Sequence, residues 1–284
     1  MKKINTVDLF AGCGGLCDGF EQTGRYNTLA CVEWEAAPCE NLAKRLGEKW
    51  NYKDADRRVL RFDIQRTEEL FYGWDDTKYG RSDGLDAVIG GEKVDLIIGG
   101  PPCQAYSVAG RIRDENGMRD DYRNFLFESY IKVVKRYKPK AFVFENVPGI
   151  LSAKPTGEPI IEIIQRTFDE AGYAVLSNPE DALIDFSEYG VPQNRKRIIV
   201  LGLSRNVYGD RAEGILNYFY KTLLPSYKTP EKTTVRDAIG DLPALYPLDK
   251  EMKIHGKRYS HSIVQSGVPN HMPRWHNERD RHIF

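Results

Sequence analysis

One cysteine, one glutamate and two arginines stand in frames that suit chemistry. Cys103 belongs to Gly99-Gly100-Pro101-Pro102-Cys103-Gln104-Ala105-Tyr106-Ser107. Two glycines and two prolines restrict that backbone, so the thiol is presented in a fixed pose, and a thiolate there could act as a nucleophile. Glu145 ends the apolar run Ala141-Phe142-Val143-Phe144 and leads into Asn146-Val147. A carboxylate delivered by so apolar a strand sits where its surroundings can tune it for proton work. Read alone, it serves equally well as a helix cap or an ion-pair partner. Gln193-Asn194-Arg195-Lys196-Arg197 adds cations at the head of another apolar run. Alternate residues of a strand share a face, so Arg195 and Arg197 can point the same way. An isolated cysteine is more often an inert buried hydrophobe, which is how Cys13, Cys17, Cys31 and Cys39 are read.

A second group of residues suits a ligand rather than a reaction. Val7-Asp8-Leu9-Phe10-Ala11-Gly12-Cys13-Gly14-Gly15-Leu16 runs from strand to helix through three glycines. Glycine allows the tight turn and lets backbone N–H groups approach a ligand. The spacing is not GxGxxG, because Cys17 stands where the third glycine should be, and this weakens a nicotinamide reading. About twenty residues on, Glu33-Trp34 offers an acid for ribose hydroxyls and an aromatic face for adenine. Asp63-Ile64 offers a carboxylate for an exocyclic amine. Taken singly, these are ordinary turns and solvent-facing acids. Together, three strand ends converge on one nucleoside-shaped ligand.

The elements that must hold these groups follow from periodicity. Short apolar runs alternate with helix-like segments through roughly the first two hundred residues, the pattern of an α/β domain with a mostly parallel sheet. Strands are predicted at Ile4–Phe10, Thr28–Glu33, Val59–Phe62, Val94–Ile98, Ala141–Glu145, Tyr173–Leu183 and Arg197–Leu203. Helices are predicted at Gly15–Thr23, Ala36–Lys49, Asn124–Tyr137 and Pro159–Ala171. Tyr72–Lys93, rich in Gly, Asp and Lys, reads as a surface insertion. From about Arg205 the alternation fades and Pro225, Pro230, Pro243 and Pro247 mark a different texture, so a smaller unit is expected there.

The 284 residues suffice for a buried core, and 41% hydrophobic with 29% charged residues is the composition of an ordinary globular protein. Lys+Arg and Asp+Glu are both 41, a balance that neither requires nor excludes nucleic acid, since a basic groove can hide in a neutral total. Five cysteines without a CxxC pair favour neither a disulfide framework nor a zinc site, no metal is expected, and a reducing cytoplasm fits best. The N-terminus reads as a strand rather than a signal peptide, and no apolar run reaches membrane-spanning length.

Five motifs, DLFAGCGGL, GGPPCQAYS, ENV, QNRKR and TTVRDAIGDLP, occur between Val7 and Pro243 in the order seen in DNA (cytosine-5) methyltransferases. The chain resembles a bacterial enzyme of the restriction-modification or orphan type. This resemblance implies a class I S-adenosylmethionine-dependent methyltransferase fold (Rossmann-like). Its α/β sheet is mixed, mostly parallel, with helices on both faces and one antiparallel strand near its edge. It implies a catalytic, cofactor-binding domain over residues 1–204 and part of a smaller target-recognition domain over 205–284. It also implies S-adenosyl-L-methionine as methyl donor, double-stranded DNA as partner, no membrane, and residence at the nucleoid when DNA is bound.

The implied mechanism begins with addition of Cys103 to C6 of a flipped-out cytosine, because aromatic C5 is too poor a nucleophile unaided. Glu145 supports N3, Arg197 approaches O2, Arg195 holds Glu145, and Asn146 fixes the loop and the base. Methyl transfer to C5, loss of the C5 proton and elimination of Cys103 complete the cycle. Cofactor contacts are implied at Phe10, Gly12, Gly14, Leu16, Glu33, Trp34, Asp63, Ile64, Pro102 and Leu126. The loop Tyr106–Arg123 is expected to close over DNA, and the basic run His255–Arg258 reads either as a backbone contact or as an exposed patch without a role.

Relatives continue beyond TTVRDAIGDLP into a recognition region and a late segment that completes the cofactor pocket. A C-terminally incomplete chain is therefore expected, impaired alone, with a complementary chain or a second copy covering an apolar surface. Three other readings stay open: a tRNA cytosine-5 methyltransferase, a non-catalytic subunit of a split enzyme, and a nicotinamide oxidoreductase, which leaves PPCQ and ENV unexplained.

Overall fold

The computed structural model describes residues 2–102, 126–154, 157–254, 256–263, 267–268, 271, 273 and 275–281. Its first strands and helices are β1 (Ile4–Leu9), α1 (Gly15–Glu21), β2 (Tyr26–Glu33), α2 (Ala36–Glu48) and β3 (Val59–Arg61). Next come α3 (Thr67–Tyr72), the hairpin β4 (Trp74–Asp76) and β5 (Gly80–Ser82), α4 (Gly84–Ile89) and β6 (Leu96–Gly99). Then follow α5 (Leu126–Tyr137), β7 (Ala141–Asn146), α6 (Ile160–Glu170), β8 (Tyr173–Ala174), β9 (Leu183–Asp185), β10 (Lys196–Ser204) and α7 (Arg211–Tyr218).

The main sheet runs in the order β3-β2-β1-β6-β7-β10-β8, with β9 also paired to β10. The five strands from β3 to β7 are parallel neighbours, whereas β10 runs antiparallel to β7. Parallel neighbours need crossovers, and these carry helices onto both faces of the sheet. Along β2, Ala30 and Val32 enter the large core while Cys31 enters a smaller one with Cys17 of α1 and Leu42 and Leu46 of α2. The large core holds Leu70 of α3, Leu85 of α4, Tyr130 of α5 and Phe168 of α6. Within it Phe142 stacks on Phe168 with ring centroids 4.0 Å apart.

This topology sets one edge of the sheet aside for a site. The carboxyl ends of β1, β2, β3, β6 and β7 meet there because these strands run the same way. The start of β10 joins them because it runs the other way.

Three expectations are corrected. Tyr173–Leu183 is two short strands separated by a 3-10 turn over Pro179–Ala182, where proline lacks the N–H a strand needs and the Asn178 side chain accepts from Glu180 N. Tyr72–Lys93 is no surface insertion. Trp74, Leu85 and Ile89 are buried, and Trp74 stacks on Phe62 at 3.9 Å, so three apolar residues outweigh the polar texture around them.

Residues 205–228 belong to the larger compact unit, which comprises 1–186 and 195–228. Their anchor is Tyr220. Between β9, which pairs with Lys196–Ile198, and β8, which pairs with Leu203–Ser204, the outer edge of β10 has no strand partner. The Tyr220 hydroxyl fills this gap, accepting from Leu201 N at 2.7 Å and donating to Ile199 O at 2.6 Å. Burial pushes its pKa up to about 12, so the phenol stays a donor at neutral pH. Tyr220→Phe leaves both backbone groups unsatisfied and is expected to cost about 1–3 kcal/mol. A lowered urea midpoint with an unchanged m-value is the result to look for.

The smaller unit comprises 187–194 and 229–284. It contains α8 (Val235–Ile239), whose Thr234 and Asp237 form a reciprocal capping box, and a hairpin of β11 (Pro247–Ile254) and β12 (Lys257–His261). Arg258 of the basic run pairs with Glu251 at 2.7 Å and lies 4.4 Å from the Trp275 ring centroid; His255 falls outside the described residues.

Candidate active site

A cavity of about 450 Å³ opens at the carboxyl edge of the sheet, a volume suited to a nucleoside-sized ligand. Phe10, Glu33, Trp34, Asp63, Ile64, Pro102 and Leu126, all named from the sequence, line it together with Val32, Phe62 and Gly100, which sequence reasoning missed. Val32 and Phe62 each precede a residue that was named, and their apolar character alone marked them as core.

The walls are built by local constraints. Phe10 takes a left-handed backbone, φ 57°, directly after β1 and joins the lining, a costly conformation for a bulky residue. Trp34 is 44% exposed, an indole left at the cavity rather than in the core. Asp63 is half-buried and its Oδ1 accepts from Gln65 N at 3.0 Å.

Glu33 ties two of the walls together. Its Oε2 accepts from Gly12 N at 2.8 Å, while Oε1 accepts from Trp34 N at 2.9 Å and Glu35 N at 3.0 Å. The carboxylate thus clamps the β1–α1 turn to the end of β2, a task that any ribose contact would share. Gly12, Gly14 and Leu16 are not among the lining residues of the cavity. Gly14, at φ 79°, leaves room for Leu42 of α2, whose Cδ1 would lie 2.4 Å from an added Cβ. Glu33→Gln turns one acceptor oxygen into a donor facing N–H groups. The expected loss is about 1–3 kcal/mol of stability, read by thermal or urea unfolding.

Gly100, one of the lining residues, also lies against Glu145. An added Cβ on Gly100 would lie 2.7 Å from Glu145 Oε2, so any larger residue there would push the carboxylate from this position. Strand register explains its partners. Ile199 of β10 lies opposite Glu145 of β7, and Arg197, two residues earlier on the same face, is its diagonal neighbour. Arg197 Nε donates to Glu145 Oε1 at 2.8 Å, and Arg195 Nη2 lies 3.9 Å from the same oxygen. The geometry thus makes Arg197 the closer partner, where Arg195 was expected to hold the carboxylate.

Asn146 is buried and ties strand to loop: its Nδ2 donates to Pro101 O at 3.4 Å and its Oδ1 accepts from Val147 N at 2.8 Å. Cys103 and the loop Tyr106–Arg123 lie outside the described residues. Pro102, the residue before Cys103, lines the cavity, and Gly100 forms a wall shared by the cavity and Glu145. Such an arrangement can hold a nucleoside and, at the neighbouring carboxylate, move or stabilise a proton.

Comparison with known proteins agrees with this layout. Residues 4–272 match the family of C-5 cytosine-specific DNA methylases. Type II methyltransferase M.Bpa9945I of Bacillus paralicheniformis is 34% identical over 98% of this chain and 72% of its own length. Type II methyltransferase M.DdeI of Desulfomicrobium norvegicum is 33% identical over 85% of the chain and 49% of its own length, so the chain spans about half of some curated relatives. A solved E. coli prophage protein, described as a DNA modification methyltransferase, shares the fold, with a TM-score of 0.59 and 22% identity over 89% of this chain and 59% of that one. The mixed, mostly parallel sheet is that of class I methyltransferases, and no described helix is long and apolar enough to cross a membrane. With the match running through nearly every element that carries the cavity, Glu145 and its arginines, the chain belongs to the C-5 cytosine-specific DNA methylase family.

Proposed function

We propose that the chain transfers a methyl group from S-adenosylmethionine to C5 of a cytosine flipped out of double-stranded DNA, with Cys103 as the attacking thiolate. The observation that carries this reading is Gly100, which lines the nucleoside-sized cavity and lies against the carboxylate of the Glu145–Arg197 pair. A methyl donor bound in the cavity supplies an activated methyl group next to a base held at Glu145. Trp34 offers its ring to the adenine, Glu33 its remaining acceptor capacity to the ribose, and Asp63 its carboxylate to the exocyclic amine.

Around the base, the chain supplies charge and orientation. Glu145 donates a hydrogen bond or a proton at N3 as addition at C6 pushes electron density into the ring. Arg197 orients that carboxylate, and Arg195 completes the positive wall toward O2. Asn146 holds the proline loop at Pro101 against β7. The loop Tyr106–Arg123 supplies arginines for phosphates.

The test is product analysis. The protein is incubated with labelled S-adenosylmethionine and unmethylated genomic DNA, whose many sites make the recognition sequence immaterial, and the DNA is digested to nucleosides. Label in 5-methyl-2′-deoxycytidine is expected. Label in another methylated base, or transfer to tRNA in place of DNA, would rule the reading out.

A further inference from the structure

Directly beneath the glycine turn lies a polar cluster with no part in the proposed chemistry. A carboxylate oxygen of Asp8 on β1, Sγ of Cys17 on α1 and Sγ of Cys31 on β2 all lie within 4.8 Å of one another. All three residues are buried, Asp8 and Cys31 completely and Cys17 to 2% exposure. Asp8 Oδ2 accepts from Cys17 N at 3.2 Å, whereas Oδ1 is buried without a hydrogen-bond partner. A buried acceptor left in that state is costly, and a proton or a cation would relieve it.

We propose that Asp8, Cys17 and Cys31 form a binding site for a thiophilic divalent cation of the zinc type. Two sulfurs and one carboxylate oxygen are a donor set that zinc accepts, and an ion bonded to sulfur at about 2.3 Å in tetrahedral geometry holds its ligands about 3.8 Å apart. The 4.8 Å limit on this cluster accommodates that spacing with small side-chain shifts. Complete burial points to an ion captured as the chain folds rather than one that enters afterwards.

Neighbouring groups supply a route for the thiol protons that zinc displaces. The Thr28 hydroxyl donates to Glu21 Oε1 at 2.6 Å, so the 3.2 Å contact between Cys17 Sγ and Thr28 Oγ1 has the thiol as donor. Glu21 also accepts from Tyr52 OH at 2.6 Å, which extends the chain toward the half-buried Tyr52. The hydrogen bond with Cys17, together with burial, pushes the Cys31 thiol up, and burial pushes the Asp8 carboxyl up. Zinc binds thiolates, so metal uptake releases thiol protons. An ion here would cross-link β1, α1 and β2 at the base of the turn that carries Phe10 and Gly12.

The full chain, produced in zinc-supplemented medium and kept reduced, is passed over a chelating resin and its metal content measured by mass spectrometry. About one zinc per chain is expected, conserved in Cys39→Ala, whose thiol is outside the cluster, and reduced at least tenfold in Cys17→Ser and Cys31→Ser. Wild-type chain that is folded by circular dichroism yet takes up neither zinc nor cadmium would overturn the proposal, as would zinc retained in the double serine variant. Should the variants fail to fold, X-ray absorption on the zinc-loaded wild type decides. Two sulfur ligands support the site, and nitrogen and oxygen ligands alone refute it. These readouts need neither methyl donor nor DNA, so they stand apart from the methyltransferase reading.

Discussion

Cys103→Ser is expected to lower methyl transfer to DNA by at least about 10⁴-fold, the scale seen when a covalent nucleophile is removed from a site left otherwise intact. A hydroxyl at neutral pH is almost wholly protonated and adds poorly to C6, whereas a thiolate is strongly nucleophilic and can leave again afterwards. Two measurements check this. Labelled methyl transfer to unmethylated genomic DNA gives the rate. DNA containing 5-fluorocytosine gives the intermediate: fluorine at C5 cannot depart as a proton would, so the adduct cannot eliminate and accumulates. Wild-type protein should form this adduct and Cys103→Ser should not. A serine variant that turns over within a few fold of wild type would remove the nucleophile from the mechanism. Cofactor affinity, measured by calorimetry, should be little changed, since the substitution exchanges a single side-chain atom and leaves the described lining intact.

Glu145→Gln is expected to lower single-turnover methyl transfer by about 10²–10⁴-fold, the range of general acid–base catalysis by a positioned side chain. The amide keeps the shape and can still bond to N3, but it cannot deliver a proton there. It also carries one acceptor where the carboxylate has two, and Arg197 Nε, at 2.8 Å, must take it. Glu145 is not among the described residues that line the nucleoside cavity. The Kd for S-adenosylhomocysteine should therefore stay within about threefold of wild type, well under 1.4 kcal/mol. A variant that loses cofactor binding while keeping its chemical rate would show that Glu145 belongs to the cavity and not to the base.

Much of this was legible along the chain because its physics is local. Apolar runs of strand length bounded by glycine and proline located β1, β2, β3, β6, β7 and β10, and helical periodicity located α1, α2, α5 and α6. Cys103 stood out by the stiffness of its neighbours, and Glu33, Asp63 and Glu145 by falling at the ends of apolar runs. The ordered motifs named the family before any contact was known.

What chain-local reasoning could not reach are relations between strands. That Arg197 rather than Arg195 lies closest to Glu145 depends on the register of β10 against β7, which a one-residue slip would invert. The place of Tyr220 follows from a gap between β8 and β9 on one strand edge, and that gap exists only in the assembled sheet. Gly100 read along the chain only as part of the stiff frame before Cys103, and in the fold it both lines the cavity and lies against Glu145. Asp8, Cys17 and Cys31 read singly as a strand residue and two inert thiols; the packing of α1 over β1 and β2 brings them together. The sequence by itself determined which elements form and which residues carry chemistry, because those follow from neighbours in the chain. Tertiary structure alone decided which side chains meet, because strand order, direction and register are set by burial of the whole sheet.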